Sequence, residues 1–171
     1  MATRLSGLDA TFLYVETATN HMHVGSAIVL DPRDRPGGRL TRNDVAGYLQ
    51  TRLHLDPSFR RRLAPVPLRV DHPLWIEDPD FDLDFHVRRA ALPSPGGMAE
   101  LAEFAGDVMS RRIDRSRPLW ELHVVEGLEG GRVALVTKTH HAAIDGISGA
   151  ELLAAILQLD PDEQPPPPRR P

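Results

Sequence analysis

Two adjacent histidines, His140 and His141, followed by Asp145 and Gly146, are the residues of this chain best suited to chemistry. An imidazole titrates near pH 6.5, so it can take a proton from a hydroxyl close to neutrality. A positioned base of this kind accelerates a reaction by roughly 10²- to 10⁴-fold. The segment falls where a β-rich run ends and a helical pattern begins, a place where the sheet holds a residue that still projects into open space. Gly146 permits a tight turn there. Across that turn, the carboxylate of Asp145 either orients the imidazole of His141 or pairs with an arginine and shapes the loop. On spacing alone a blander reading stays open, in which the histidines are polar partners at a strand end or weak metal ligands. Zinc fits poorly, since a closed site wants four ligands and a catalytic one three around an open position. On an extended chain His140 and His141 also point to opposite sides. No metal is expected.

Other candidates are weaker. The chain has no cysteine, which excludes disulfides and thiol nucleophiles and is compatible with a reducing compartment. No G-x-S-x-G surrounds Ser148, which reads as a helix-start residue and not a nucleophile. His21 and His23 share a face if extended, and are expected at an exposed strand start. The run Arg60, Arg61, Arg62 suits either phosphates or a solvated charged surface. Trp120 alternates with Leu122 and Val124 as a core face does.

The elements that must position these groups follow from pattern and capping. Ser6 and Asp9 have capping-box spacing before an apolar side made by Leu8, Phe12, Leu13 and Val15, which predicts a helix over 6–15. Val24 to Leu30 reads as a strand closed by Asp31-Pro32. Thr41 and Asp44 repeat the cap, with Val45, Leu49 and Leu53 on one side of a second helix. Phe59 to Leu63 reads as a basic turn or short helix. Extended candidates follow at 68–71, 74–77 and 84–89, interrupted by prolines. After the breaker Pro95-Gly96-Gly97, Leu101, Phe104, Ala105, Val108 and Met109 lie at helical spacing within 98–113. Two β-rich runs, 119–126 and 132–140, joined by Gly127 to Gly131, predict a hairpin. A last helix is expected over 148–159, with Leu152, Leu153, Ile156 and Leu157 as its apolar side. Residues 161–171 form a proline-rich linker after a domain over 1–160. The order of helices and strands predicts an α/β sandwich.

Composition narrows the class. With 171 residues, 41% hydrophobic content and a net charge of -4, the chain can bury one core. Arginines are scattered among carboxylates and Lys138 is the only lysine, so no continuous basic face is offered to nucleic acid. Residues 1–8 carry no signal-peptide pattern and no run reaches membrane-spanning length. The expectation is a cytoplasmic protein, with any membrane contact peripheral.

The segment from His140 to Gly146 resembles the HHxxxDG motif of the chloramphenicol acetyltransferase-like CoA-dependent acyltransferase superfamily. Further stretches are similar to the bacterial wax ester synthase/diacylglycerol acyltransferase family, in that family's order: Leu5 to Leu13, Met22-His23-Val24-Gly25, Asp84 to Arg88, and Asp114 to Glu121. The likeness runs to Leu159. The resemblance implies one half of a chloramphenicol acetyltransferase-like fold, a two-layer sandwich of a mixed sheet with helices packed on it. A second, C-terminal domain would form the other wall of a reaction channel, and the half alone would have little activity. It further implies acyl-CoA as co-substrate, no covalently bound cofactor, and diacylglycerol or a long-chain alcohol as acceptor, at the inner membrane face or lipid inclusions. His141 would be the general base, with His140, Asp145 and Gly146 supporting the motif. The alternatives are a non-catalytic lipid- or partner-binding half and, ranked lower, a condensation domain.

Overall fold

Strand β7 (Val133–His140) is buried along almost its whole length, and the other elements of the computed structural model are arranged around it. Residues 2–144 are described; Met1 and residues 145–171 lie outside the described residues. Asp145, Gly146, Ser148, the expected helix over 148–159 and the proline-rich segment therefore fall outside the described residues as well.

β7 pairs on one side with β2 (His23–Leu30) and on the other with β6 (Trp120–Glu126), both antiparallel, while β5 (Val87–Ala91) runs parallel to β6. The resulting sheet has the order β2-β7-β6-β5 and is mixed, as expected. Central strands read as continuous apolar runs because both faces are covered. One face carries α2 (Arg42–Gln50), whose Val45 and Leu49 pack with Trp120, Leu122, Val124 and Leu135. The other carries α4 (Met98–Ser110), whose Leu101 and Val108 pack with Val125, Ala134 and Val136.

Local signals formed as the pattern predicted. Ser6 accepts the amide of Asp9 and starts α1 (Gly7–Val15), and Thr41 with Asp44 closes a reciprocal capping box on α2. Trp120 is core: its indole donates to the Phe59 carbonyl at 3.0 Å and its ring stacks on His86.

The stretch over 57–86 departs from expectation. Asp56 accepts the amide of Ser58 at 2.7 Å and starts a short turn, but residues Arg61–Ala64 then form a strand, β3, not a helix. β3 pairs with β4 (Leu74–Glu77), which also pairs with β1 (Thr3–Arg4), giving a second sheet of order β1-β4-β3. Where 68–71 is expected to be extended, residues Pro67–Arg69 make a short helical turn with Leu68 in the left-handed region. Asp82 accepts the amide of Asp84 and turns residues Leu83–His86 into a single helical turn, α3, so that β5 begins only at Val87. Pairing to a distant strand made β3, the cap of Asp82 broke the run over 84–89, and the turn at Pro67–Arg69 opens on a proline with no side-chain cap. The helix over 98–113 ends three residues early, at Ser110. Among the described residues no helix is long and apolar enough to cross a membrane.

Candidate active site

The end of β7 meets the end of α1. At His140 the chain leaves the strand for a short helical turn, His141–Ala143, and the strict alternation of side chains ends there. Both imidazoles consequently face α1, contrary to the expectation of opposite sides. His141 lies on Phe12, with ring centroids 4.9 Å apart and planes inclined by 18°. His140 reaches Glu16, four residues further along, through Nε2 at 3.0 Å from Oε2. Residues four apart in a helix share one side, which is why one turn of α1 serves both histidines.

His140 is 1% exposed and fully engaged. Its Nδ1 accepts the amide of Ala142 at 3.0 Å, so the ring proton sits on Nε2 and is donated to Glu16. The ring is thus neutral, in keeping with a pKa pushed down mainly by burial, although Glu16 pulls it the other way. Glu16 is itself clamped. Its carboxylate pairs with Arg115, which also donates to the Leu13 carbonyl at 3.0 Å, and with Arg112 at 3.4 Å. Burial raises the Glu16 pKa, but hydrogen bonds from Arg115 and His140 outweigh it and the net shift is downward.

His141 is placed differently. It is half-buried, its amide donates to the Met22 carbonyl at 2.9 Å, and among the described residues neither ring nitrogen makes a hydrogen bond. Met22 adopts a positive φ of 48°, a conformation that non-glycine residues resist, and this turns its carbonyl toward the motif. His141 borders an open cleft of about 530 Å³ shared with Asn20, His21, His23, Met109 and Ser110. A smaller cleft of about 250 Å³ lies beside Ala142 and Ala143, against Trp75 and Leu55.

The floor of the larger cleft rests on α4. Lys138, 1% exposed, donates to the Val108 and Arg111 carbonyls at 3.0 Å each and pairs with Glu121 at 3.4 Å. A buried ammonium thus takes up carbonyls at the C-terminus of α4, where the helix dipole favours positive charge. Burial lowers the Lys138 pKa. Burial raises that of Glu121, yet the His123 hydrogen bond and the Lys138 charge bring it down to about 2. Gly25 lets α4 approach β2, since a Cβ there would stand 2.5 Å from the Met109 sulfur.

His21 and His23 are half-buried, not exposed, with rings 5.4 Å apart, and both ring nitrogens of His23 are shielded from solvent. Among the described residues no group of three metal-ligating side chains is close enough to hold an ion. Of the arginine run, Arg60 and Arg62 pair with Glu77 and Asp78, and Arg61 borders the smaller cleft. Glu16, Phe12, Met22 and Arg115 were not singled out as site residues. Three of them lie inside stretches that carried the resemblance, whereas Glu16 stands 124 residues from its histidine with no local signal.

A family model described as the wax ester synthase/diacylglycerol acyltransferase catalytic domain matches residues 5–171. The chain belongs to that family. Among its relatives, a Mycobacterium tuberculosis protein named for diacylglycerol O-acyltransferase activity is 47% identical over 162 residues, covering 95% of this chain and 34% of that protein. A second from the same species is 43% identical over 148 residues, covering 86% of this chain and 54% of the relative. The solved wax ester synthase/diacylglycerol acyltransferase of Marinobacter aquaeolei VT8 is similar with a TM-score of 0.75 and 36% identity, over 96% of this chain and 41% of that one. The starter condensation domain of rhizomide synthetase, at 12% identity and a TM-score of 0.65 over 91% of this chain and 38% of that one, shares the fold. The chain thus has the chloramphenicol acetyltransferase-like architecture, and spans about a third of the length of the first of these relatives.

Proposed function

We propose that this chain is the histidine-bearing part of an O-acyltransferase that moves a fatty acyl group from acyl-CoA to the hydroxyl of a lipid alcohol. The observation that carries the reading is His141 on the rim of the larger cleft, its ring held flat by Phe12 and its nitrogens unengaged among the described residues. A neutral imidazole so placed has a lone pair for the acceptor hydroxyl proton. The alkoxide oxygen then attacks the thioester carbon, the carbon–sulfur bond breaks, and the proton on His141 passes to the departing CoA sulfur. No acyl-enzyme is required, in keeping with a chain that has no cysteine.

His140 supports the turn, and Asp145 and Gly146 complete the motif. A second domain supplies the other wall of the channel. The names of the mycobacterial relatives favour diacylglycerol as acceptor, and that of the Marinobacter enzyme adds a long-chain alcohol. We place the reaction on the cytoplasmic side, at the inner membrane face or at lipid inclusions, where such acceptors reside. The alternative is a non-catalytic lipid- or partner-binding module that keeps the motif as scaffold.

The test replaces the matching third of the Mycobacterium tuberculosis relative with this chain and follows CoA release from palmitoyl-CoA with dioleoylglycerol or hexadecanol. His141→Ala is expected to lower kcat by roughly 10²- to 10⁴-fold. A variant as active as its parent removes the general-base reading, and a parent chimaera that binds lipid without turnover favours the non-catalytic half.

A further inference from the structure

We infer that Glu16 is a positioning residue, which fixes the tautomer of His140 and through it the turn that presents His141. The inference rests on the role proposed for His141, but its geometry is independent of that role.

A carboxylate ordinarily found on the surface is here 5% exposed, at the point where α1 ends. Four groups converge on or beside it: His140, Arg112, Arg115 and the Leu13 carbonyl that Arg115 also binds. Neutral histidine has two tautomers, and the bond made by one nitrogen decides which proton the other carries. With Glu16 accepting at Nε2, the proton is held there and Nδ1 keeps its lone pair for the Ala142 amide. Ala142 is fully buried, so an amide deprived of that acceptor would have no water to turn to. The other tautomer would set an N–H of His140 against the N–H of Ala142. That clash opens the turn beginning at His141, whose ring is also fixed from α1 by Phe12. Glu16 and Phe12 together tie helix α1 to the two histidines, which gives the Leu5 to Leu13 stretch and Arg115 a physical task near the site.

Arg112 and Arg115 make this arrangement robust. They keep Glu16 charged and aimed, as the aspartate of a serine-protease triad holds its imidazole in one tautomer. The difference lies in the target, since Glu16 acts on the first histidine and not on the proposed base.

The test is long-range proton–nitrogen NMR on the 171-residue chain, with exchange of the Ala142 amide read alongside. In the parent His140 is expected as the Nε2–H tautomer, and observing the Nδ1–H tautomer overturns the inference without any variant. Glu16→Ala is expected to mix the tautomers and to speed Ala142 exchange roughly tenfold, the loss of about one charge-assisted hydrogen bond. Glu16→Gln keeps a carbonyl acceptor and is expected to hold the parental tautomer, with Ala142 exchange within about threefold of the parent. If Glu16→Ala changes neither readout, or Glu16→Gln changes both as much as alanine does, Glu16 merely anchors arginines and the inference fails. Acyl transfer is not involved, so this outcome is separable from the His141→Ala assay.

Discussion

Lys138 and His140 stand two residues apart on the same face of β7, are both 1% exposed, and each fastens a helix to the strand. They do so by different physics. Lys138 is a buried charge with a buried countercharge, Glu121, and satisfies two carbonyls at the end of α4. His140 is a neutral ring whose partner Glu16 draws its own compensation from Arg112 and Arg115, which are 54% and 41% exposed. The first arrangement holds the fold; the second sets the local geometry of a turn. A charge wholly inside the protein cannot lose one partner without leaving the other stranded, whereas water can take over much of what the exposed arginines do.

Breaking the Lys138 side should have the largest effect on stability. Lys138→Met leaves Glu121 buried beside His123 and frees two helix-end carbonyls, and is expected to cost about 3–5 kcal/mol in chemical denaturation. Adding Glu121→Gln removes the stranded charge and should recover part of the loss. Glu16→Gln, by contrast, should cost less than about 1 kcal/mol, because its arginines are exposed. Equal losses from Lys138→Met and Glu16→Gln would erase the distinction.

Gly25 tests the same distinction through packing. A methyl group there would stand 2.5 Å from the Met109 sulfur and 2.8 Å from the Thr137 carbonyl oxygen. The sulfur belongs to a flexible side chain and can move, but the carbonyl is backbone of β7. Gly25→Ala is therefore expected to cost about 1–3 kcal/mol and to displace the α4 end of the cleft. If Lys138 holds α4, Met109→Ala should restore only part of that stability, because the clash with Thr137 persists. Full restoration would show that contact with β7 is immaterial.

How much of this could be read from residues alone depended on how far apart the partners lie. Ser6 with Asp9 and Thr41 with Asp44 are three residues apart, and both helices began where their caps predicted. The hairpin of β6 and β7 likewise rests on neighbouring runs. β3 owes its existence to β4 ten or more residues away, and a run of arginines around Leu63 carries no sign of that pairing. At the site, the position of His141 was legible through its motif and its neighbours in order along the chain. Its contact with Phe12 was not, and neither was Glu16, because a carboxylate just after an apolar helix usually faces water. Lys138 stood out only as the single lysine of the chain, and nothing local showed that it would be buried.

The smallest effect at neutral pH, and the one that ties both tethers together, concerns His23, which pairs across the sheet with His140. Burial, and then the charge of Lys138, hold its pKa at about 4 against an ordinary 6.5. Between those values the unfolded chain binds a proton that the folded chain refuses. The stabilising contribution is therefore complete above about pH 6.5 and is lost as the pH falls through about 4. His140 and His86 are lowered as well, so the acid loss of the parent is a sum. His23→Gln isolates one share: it should flatten the stability profile in that window by up to one proton, roughly 1.4 kcal/mol per pH unit, and change little at pH 7.5. Lys138→Met should raise the His23 midpoint seen by NMR, since it removes the charge that ranks next after burial. Glu16→Gln leaves that charge in place and should move the midpoint less. A His23 midpoint indifferent to Lys138 would mean that burial alone suppresses protonation, and that the two tethers do not meet electrostatically at the cleft.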